Sequence, residues 1–265
     1  MTRRPAQPFN PVLVGLAALG VLFFVLPLAG LVARTPWASA LGLLGDAGVI
    51  AALKLSLVCS LASTVLAIVM GVPLAWVLAR LRFPGKNLLR GLTTLPMVLP
   101  PVVGGVALLL AFGRRGLVGQ PVSEAFGVSL PFTTAGVIVA ETFVAMPFLV
   151  ITVEAGLRSM DVRFEEAART LGAGRWTVFR RVTLPLIGPS LAAGAVLAWS
   201  RALGEFGATI TFAGNFPGIT QTAPLAIYID LESLRLSPAV MLSLVMVVVS
   251  LVVLVALRGR YLGDG

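Results

Sequence analysis

Residues 55–79 read LSLVCSLASTVLAIVMGVPLAWVLA and carry no charged side chain. An α-helix rises about 1.5 Å per residue, so it needs about 20 apolar residues to cross the roughly 30 Å hydrocarbon core of a bilayer. This stretch is longer than that, which predicts a spanning helix that is tilted or projects beyond the bilayer. The chain is therefore expected to be an integral membrane protein.

The rest of the chain has the same character. Hydrophobic residues make up 58% of the sequence and charged residues only 12%, whereas soluble domains are about a quarter charged. Because apolar runs recur along the chain, we predict an all-α integral membrane fold with about six transmembrane helices in one domain, residues 1–265. The predicted spans are residues 12–33, 49–79, 92–112, 133–153, 185–205 and 238–257.

The first apolar run has the surroundings of a signal peptide. Arg3 and Arg4 precede it, and Ala38-Ser39-Ala40 resembles a cleavage site. The run is too long for the apolar core of a signal peptide. We therefore expect it to be retained as a helix.

Residues 206–229 are also uncharged but do not have the pattern of a span. They combine the helix breakers Gly207, Gly214, Pro217, Gly218 and Pro224 with Thr, Asn and Gln side chains. Irregular backbone is tolerated at membrane depth only where protein or a water-filled cavity surrounds it. We predict a loop or a re-entrant segment lined by protein.

Basic residues alternate between the two ends of the predicted spans. Loops rich in Lys and Arg face the cytoplasm. The basic loops contain Arg3 and Arg4, then Arg80, Arg82, Lys86 and Arg90, then Arg158, Arg163, Arg169, Arg175, Arg180 and Arg181, then Arg258 and Arg260; the opposite loops contain Arg34, Arg114, Arg115 and Arg235. Both termini are then cytoplasmic, which requires an even number of spans and supports the exclusion of residues 206–229.

Several classes of site are not expected. The net charge of +9 comes from residues placed between apolar runs, without interleaved aromatic residues, which does not favour a nucleic-acid partner. The chain has no His and a single Cys, Cys59, inside an apolar run. It is therefore not expected to form an internal disulfide, a metal site or a cofactor site of its own.

The longest basic loop, residues 158–184, is long enough to have structure of its own. Asp161 can cap a short helix whose first turn contains Glu165 and Glu166, where the helix dipole favours carboxylates. Gly172 is placed to end that helix in a left-handed conformation. A second short helix is predicted over residues 175–182, so the loop is expected to be a helix–turn–helix that docks on another protein.

This loop resembles the EAA loop of the permease subunits of ATP-driven (ABC-type) importers. The family pattern is E-A-A, three residues, G, nine residues, a branched apolar residue, any residue, and L-P. The matching residues are Glu166, Ala167, Ala168, Gly172, Val182, Leu184 and Pro185. The resemblance implies a coupling helix that inserts into a groove of the ATP-hydrolysing subunit and passes nucleotide-driven closure to the membrane helices.

The resemblance also implies partners and location. The permease is expected to be a homodimer in the bacterial cytoplasmic membrane, with two cytoplasmic ATPase subunits, an extracytoplasmic binding protein and a pathway between the two permease copies. The chain has no G-x-x-x-x-G-K-[ST] phosphate-binding loop, so we do not expect it to be catalytic. ATP and Mg are expected on the partner ATPase.

A second stretch resembles molybdate permeases in particular. It contains Arg201-Ala202-Leu203-Gly204-Glu205-Phe206-Gly207, Phe212-Ala213-Gly214-Asn215 and Thr220-Gln221-Thr222. The resemblance implies transport of molybdate, with tungstate also accepted, and a molybdate-binding protein as the external partner. Ile219 departs from the family, in which a basic residue is common. Sulfate/thiosulfate permeases share the R-A-x-G-E-[FY]-G core and are the alternative, and phosphate and organic solutes also remain open.

The candidate pathway residues are Arg201, Gly204, Glu205 and Thr209. Arg201 and Glu205 have the i, i+4 spacing to pair on one helix face. Charges at membrane depth usually face a bundle interior or water. The pair therefore either fixes the fifth span against a neighbour, or its arginine helps an oxyanion across. Glu141, in the fourth span, either stabilises a helix contact or lines the pathway.

Two other classes of membrane protein fit the sequence less well. A secondary transporter or channel acting alone would need ion-coupling groups or inverted repeats, and the sequence shows no repeat and few acids in its predicted spans. A structural assembly factor is disfavoured by the EAA-type loop alone. After the last span we expect no fused regulatory domain, because residues 258–265 are all that follow.

Overall fold

The computed structural model describes residues 11–261, with side chains as far as Val255. Over this range the chain is helical and has no β-strand. The helices are α1 (Pro11–Ala33), α2 (Ala40–Leu44), α3 (Ala47–Arg80), α4 (Lys86–Thr94), α5 (Pro101–Phe112), α6 (Gly119–Phe126), α7 (Thr134–Ser159), α8 (Arg163–Thr170), α9 (Arg175–Val178), α10 (Leu184–Leu186), α11 (Gly188–Leu203), α12 (Gly207–Ala213), α13 (Ala223–Glu232) and α14 (Leu236–Tyr261). Short 3-10 turns at Trp37–Ser39 and Leu95–Met97 and a π-helical turn at Phe179–Thr183 join neighbouring helices. The all-α prediction is confirmed.

Four of the described helices, α1, α3, α7 and α14, are long and apolar enough to cross a membrane. Two bent helix pairs also qualify when each is treated as one span: α4 with α5, and the α9–α10 segment with α11. Counting both pairs gives six, in agreement with the predicted number. The bends replace the continuous helices predicted at residues 92–112 and 185–205.

The first bend, of 117°, separates Lys86–Met97 from α5. Pro100 lies in this break, and Pro101 is the first residue of α5. Proline has no N–H to donate to the preceding turn, and its ring disfavours helical backbone in the residue before it. Pro100 accordingly has ψ 131°, outside the helical range. The third apolar run is therefore two short helices that meet at a sharp angle.

The second bend, of 72°, lies at Ile187, between α10 and α11. Ile187 has φ −88° and ψ 3°, and Pro189 follows in the first turn of α11. The proline cannot donate a hydrogen bond back across the break. Since α11 ends at Leu203, Glu205 lies beyond the helix that was predicted to contain it.

The main core lies between α3, α7 and α11. Its buried side chains include Val72, Ala75, Leu78, Ala145, Leu149, Val153, Leu157, Ile187, Ala198 and Ala202. Many are small, which lets the helices approach closely where van der Waals packing is the main attraction between helices in lipid. By contrast, α1 has no buried residue and lies on the outside of the bundle.

The segment predicted not to span, residues 206–229, forms α12, a loop and the first part of α13. Ala208, Thr209, Phe212 and Ala213 of α12 are fully buried. Phe212 and Ala208 pack against α5 and α7. The α12 part of the segment is therefore lined by protein, as the sequence indicates, whereas residues 216–219 of the loop are exposed.

Four basic residues used in the orientation argument cannot be placed. Arg3 and Arg4 lie outside the described residues, as do the side chains of Arg258 and Arg260.

Candidate functional site

The loop after α7 folds into two helices separated by a turn, as predicted. The Asp161 carboxylate accepts a hydrogen bond from the Arg163 N–H at 2.9 Å, where α8 begins. Glu165 and Glu166 occupy the first turn of α8. The second helix, α9, continues through the π-helical turn into α10, so Arg175–Leu186 is one helical segment. It is longer than the segment predicted.

Gly172 ends α8 with φ +87°. Its N–H donates to the Arg169 carbonyl at 2.9 Å, and the Ala173 N–H donates to the Ala168 carbonyl at 3.1 Å. These two bonds form a Schellman motif, whose left-handed residue glycine adopts without strain. The predicted cap at Gly172 is confirmed, and it fixes the angle between the two helices of the loop.

Glu165 anchors the loop to the bundle and is only 6% exposed. Its Oε1 accepts a hydrogen bond from the Thr183 Oγ1 at 2.7 Å and lies 3.4 Å from the Arg80 Nη2. It therefore joins α8 both to the end of α3 and to the segment that leads into α11. Glu166, which the motif singles out, is exposed instead. Glu165 and Glu166 are adjacent in the sequence, and the rotation of α8 about its own axis decides which of them points toward the bundle.

A second carboxylate, Glu154, fixes α4 to α7. Its Oε1 lies 2.8 Å from the Arg90 Nη2 and 2.7 Å from the Arg158 Nη2. Glu154 is 7% exposed, so the two cations share one nearly buried anion. The contacts made by Glu154 and Glu165 bring the ends of α3, α4, α7 and α8 together, and we call this end of the bundle the basic end.

The other motif residues present a surface at the basic end. Glu166, Ala167, Gly172 and Pro185 are exposed, and Ala168 and Leu184 are half-buried. Leu171, at the turn between the two helices, is 88% exposed. An exposed apolar tip flanked by small residues, on a loop with both ends fixed, has the shape of a surface that docks on a partner.

Arg201 and Glu205 form an ion pair, with the Arg201 Nη2 lying 2.6 Å from the Glu205 Oε2. The pair does not lie on one helix face, because α11 ends at Leu203. Glu205 is 1% exposed, and its Oε1 accepts a hydrogen bond from the Ala208 N–H at 2.8 Å. The carboxylate therefore caps α12 and holds the guanidinium at the break between α11 and α12.

The remaining candidate pathway residues differ in exposure. Gly204 is exposed at the end of α11, whereas Thr209 is fully buried and its Oγ1 has no hydrogen-bond partner within the described residues. The Arg201 side chain keeps 28% of its surface exposed. In this conformation, Arg201 and Gly204 keep exposed surface, whereas Glu205 and Thr209 are buried.

The break between α11 and α12 is held against α5 by two glycines. A Cβ on Gly207 would lie 2.7 Å from the Pro101 Cβ, and one on Gly105 would lie 2.6 Å from the Thr211 Cβ. Real Cβ atoms do not approach other atoms so closely, so any side chain would force the helices apart. Helices α5 and α12 are therefore in direct contact, next to the Arg201–Glu205 pair.

Glu141 is 1% exposed, and its Oε2 accepts a hydrogen bond from the Ser63 Oγ at 3.0 Å. This bond joins α7 to α3, so of the two roles considered for Glu141 the structure supports the helix contact. Cys59 is fully buried and packs against Val137 and Ala213. Among the described residues, no group of three or more His, Cys, Asp or Glu could hold a metal ion.

The chain is similar to known proteins over most of its length. The family model of the binding-protein-dependent transport system inner membrane component matches residues 67–259. The molybdenum transport system permease protein ModB of Mycobacterium tuberculosis is 47% identical, over 92% of this chain and 92% of its own length. The sulfate transport system permease protein CysT of Escherichia coli is 37% identical, over 89% of this chain and 86% of its own length.

Among solved structures, a bacterial alginate ABC transporter in complex with an alginate pentasaccharide-bound periplasmic protein matches with a TM-score of 0.76 and 20% identity. The match covers 96% of this chain and 94% of that chain, and at this identity it shows the fold alone. The family match extends over both the helix–turn–helix and the Arg201 region. The chain therefore belongs to the family of binding-protein-dependent transport system inner membrane components.

Proposed function

We propose that this chain is the membrane-spanning permease subunit of an ATP-driven importer that carries molybdate, and the similar oxyanion tungstate, into the cytoplasm. The observation that carries the proposal is the exposed helix–turn–helix at the basic end, fixed to the bundle through Glu165. The substrate is supported by the 47% identity to a relative named for molybdenum transport, against 37% for one named for sulfate transport.

The proposed coupling runs through one buried carboxylate. A movement of α8 is passed by Glu165 to α3 through Arg80, and to the α10–α11 segment through Thr183. At its other end, α11 carries Arg201, which is paired with Glu205 at the start of α12. A displacement of the helix–turn–helix is therefore transmitted along α11 to the break between α11 and α12, where Arg201 is exposed.

Arg201 is the residue proposed to contact the anion. A guanidinium group offers a planar fork of N–H donors that suits oxyanions. Glu205 neutralises part of its charge. The pairing weakens the attraction for the anion, which suits a residue that must release its cargo. The exposed fraction of the Arg201 side chain leaves donors free for this contact.

The proposed partners are a second copy of the permease, two ATPase subunits and an external molybdate-binding protein. The family description itself refers to a binding protein, and the related alginate transporter was solved with a periplasmic protein. The chain would act as part of a molybdate-transporting ATPase complex, in which the partner subunits hold ATP and Mg and perform hydrolysis.

The proposed orientation places the basic end in the cytoplasm. Arg80, Arg90 and Arg158 meet there through their carboxylate contacts. Cytoplasmic loops of membrane proteins carry an excess of Lys and Arg. The docking surface of α8 then faces the compartment that holds ATP, and both termini lie on the same side.

The test is uptake of radiolabelled molybdate by cells that lack their own importer and receive this permease with its ATPase and binding protein. Gly172→Val is compared with Gly174→Val, since a Cβ at either position meets open space but only Gly172 has a positive φ. Valine is strongly strained in left-handed backbone. We expect molybdate uptake with which sulfate competes poorly. Gly172→Val should abolish this uptake, and Gly174→Val should retain it.

Two other results would change the proposal in different ways. Uptake of sulfate in place of molybdate would correct the substrate and leave the coupling loop intact. Uptake that Gly172→Val leaves unchanged, with both variants present in the membrane, would contradict the role of the loop.

A further inference from the structure

A cavity of about 870 Å³ lies between the end of α3 and the helix–turn–helix. Pro73, Trp76, Val77 and Arg80 of α3 form one wall, and Glu165, Glu166, Arg169, Arg175, Trp176 and Phe179 line the other. Its volume is in the range of small-molecule binding sites, which are about 300–1,000 Å³. It lies on the side of the loop that connects to the bundle, away from the Arg201 region.

The charged groups of this cavity are incompletely paired. Arg80, Arg169 and Arg175 face only two carboxylates, Glu165 and Glu166. The Arg80 Nη2 contact with Glu165 is long, at 3.4 Å. Because three guanidinium groups face two carboxylates, the cavity favours a ligand that supplies anionic oxygen atoms.

The opposite end of the cavity is apolar and lies at a defined depth. Residues 55–79 are uncharged and extend about 37 Å as a helix, close to the about 40–45 Å thickness of a bilayer with its headgroups. Arg80 is the first charged residue after this stretch, and from this position we infer that it lies at headgroup level. Trp76, one turn earlier in α3, lies about 6 Å deeper, toward the acyl chains.

The loop adds an aromatic surface at the entrance of the cavity. Trp176 is 71% exposed and stacks on Phe179, with ring centroids 5.7 Å apart. Tryptophan is enriched at the headgroup level of membranes, where its ring contacts apolar chains and its N–H contacts polar groups. The cavity thus combines an apolar wall, aromatic rings and more arginines than carboxylates, which are the groups that contact the chains and the phosphate of a phospholipid.

We propose that this cavity binds the headgroup of an anionic phospholipid, with its phosphate at Arg80 and its acyl chain along Trp76. The lipid belongs to the inner leaflet, a placement that rests on the proposed orientation. Basic pockets between helices on the cytoplasmic side are a recognised form of headgroup site. Because the ligand contacts both α3 and the loop, it reinforces the connection that Glu165 makes between them.

The test measures lipid retention, which is independent of transport. The complete importer is placed in nanodiscs of equal phosphatidylglycerol and phosphatidylcholine, released into mild detergent and analysed by native mass spectrometry. We expect wild type to retain phosphatidylglycerol in preference to phosphatidylcholine. Arg80→Gln and Arg175→Gln should each reduce that occupancy by about fivefold, the usual contribution of one basic residue near an anionic lipid surface.

Arg82→Gln is the matched control, because Arg82 is an exposed basic residue two positions beyond Arg80 and does not line the cavity. It should retain the lipid as wild type does. A photo-crosslinking residue at Trp76 identifies the occupant directly, and a phosphatidylglycerol adduct is expected. Equal retention of both lipids, loss with Arg82→Gln alone, or an adduct to the ATPase or to a second permease would overturn the proposal.

Discussion

Glu165→Ala is the substitution that isolates the proposed coupling most cleanly. It removes a carboxylate that is 6% exposed and that two separate elements contact. The helix propensity of α8 does not fall, since alanine is the best helix former. The variant therefore keeps the loop helical and removes its attachment to the bundle.

The size of the effect follows from the partners left behind. Thr183, which is 1% exposed, loses its acceptor, and leaving a buried donor unsatisfied costs about 1–3 kcal/mol. The Arg80 contact is long, at 3.4 Å, and is left out of the sum. A total of about 2 kcal/mol lowers the ratio of attached to detached loop by roughly thirtyfold.

The assay is ATP hydrolysis and molybdate uptake measured together in proteoliposomes that contain the whole complex. We expect hydrolysis to continue while the molybdate carried per ATP falls by at least about tenfold. Glu165→Gln keeps an acceptor for Thr183, so its ratio of molybdate carried per ATP should lie between those of wild type and Glu165→Ala. Glu124→Ala, at an exposed glutamate of α6 that contacts only Gln120 among the described residues, should behave as wild type. If Glu165→Ala carries as much molybdate per ATP as wild type, the proposed coupling through Glu165 is wrong.

Three further predictions concern packing and charge. Gly207→Val forces a side chain into α5, so we expect the free energy of unfolding to fall by about 1–3 kcal/mol and the melting temperature in detergent to be lower. The control is Gly204→Ala, whose Cβ would have its nearest contact at 3.6 Å and which should melt as wild type. Glu154→Gln leaves two arginines without their anion and should lower the melting temperature by the equivalent of about 1 kcal/mol, a modest loss because one arginine is half exposed. Glu141→Gln retains an oxygen that accepts from Ser63, so both uptake and stability should stay close to wild type; a loss of uptake at unchanged stability would instead place this residue in the pathway.

The apolar segments could be predicted from the sequence because hydropathy is a local property. The path of the chain between these apolar segments could not be predicted in this way. Pro100 and Pro101 are visible in the sequence and indicate a break, but the 117° angle also depends on where α5 packs. That packing is set by the contact of Gly105 with α12, over a hundred positions later in the chain. A sequence pattern cannot show such a long-range contact.

The candidate site was predictable to a similar degree. The spacing of Arg201 and Glu205 correctly indicated a pair, yet the pair forms across a helix end, because Glu205 also accepts from the backbone N–H of Ala208. Within the loop, the cap at Gly172 followed from local backbone preference. The inward position of Glu165 did not, because it depends on tertiary contacts with Arg80 and Thr183.

Cysteine cross-linking to the ATPase subunit would show whether the helix–turn–helix is the docking surface. Leu171, at the turn of the loop, and Leu117, just before α6, are 88% and 87% exposed. Leu171 follows the C-terminal end of α7 and Leu117 precedes its N-terminal end in the chain, and α7 is about 39 Å long. The native Cys59 is fully buried, so its thiol does not compete.

Each leucine is replaced by cysteine in the assembled importer, and cross-links to cysteines introduced around the ATPase surface are mapped with and without ATP. We expect Leu171→Cys to cross-link to the ATPase in a nucleotide-dependent pattern and Leu117→Cys not to cross-link to it. A cross-link from Leu117→Cys, or none from Leu171→Cys in a complex that still transports molybdate, would contradict it.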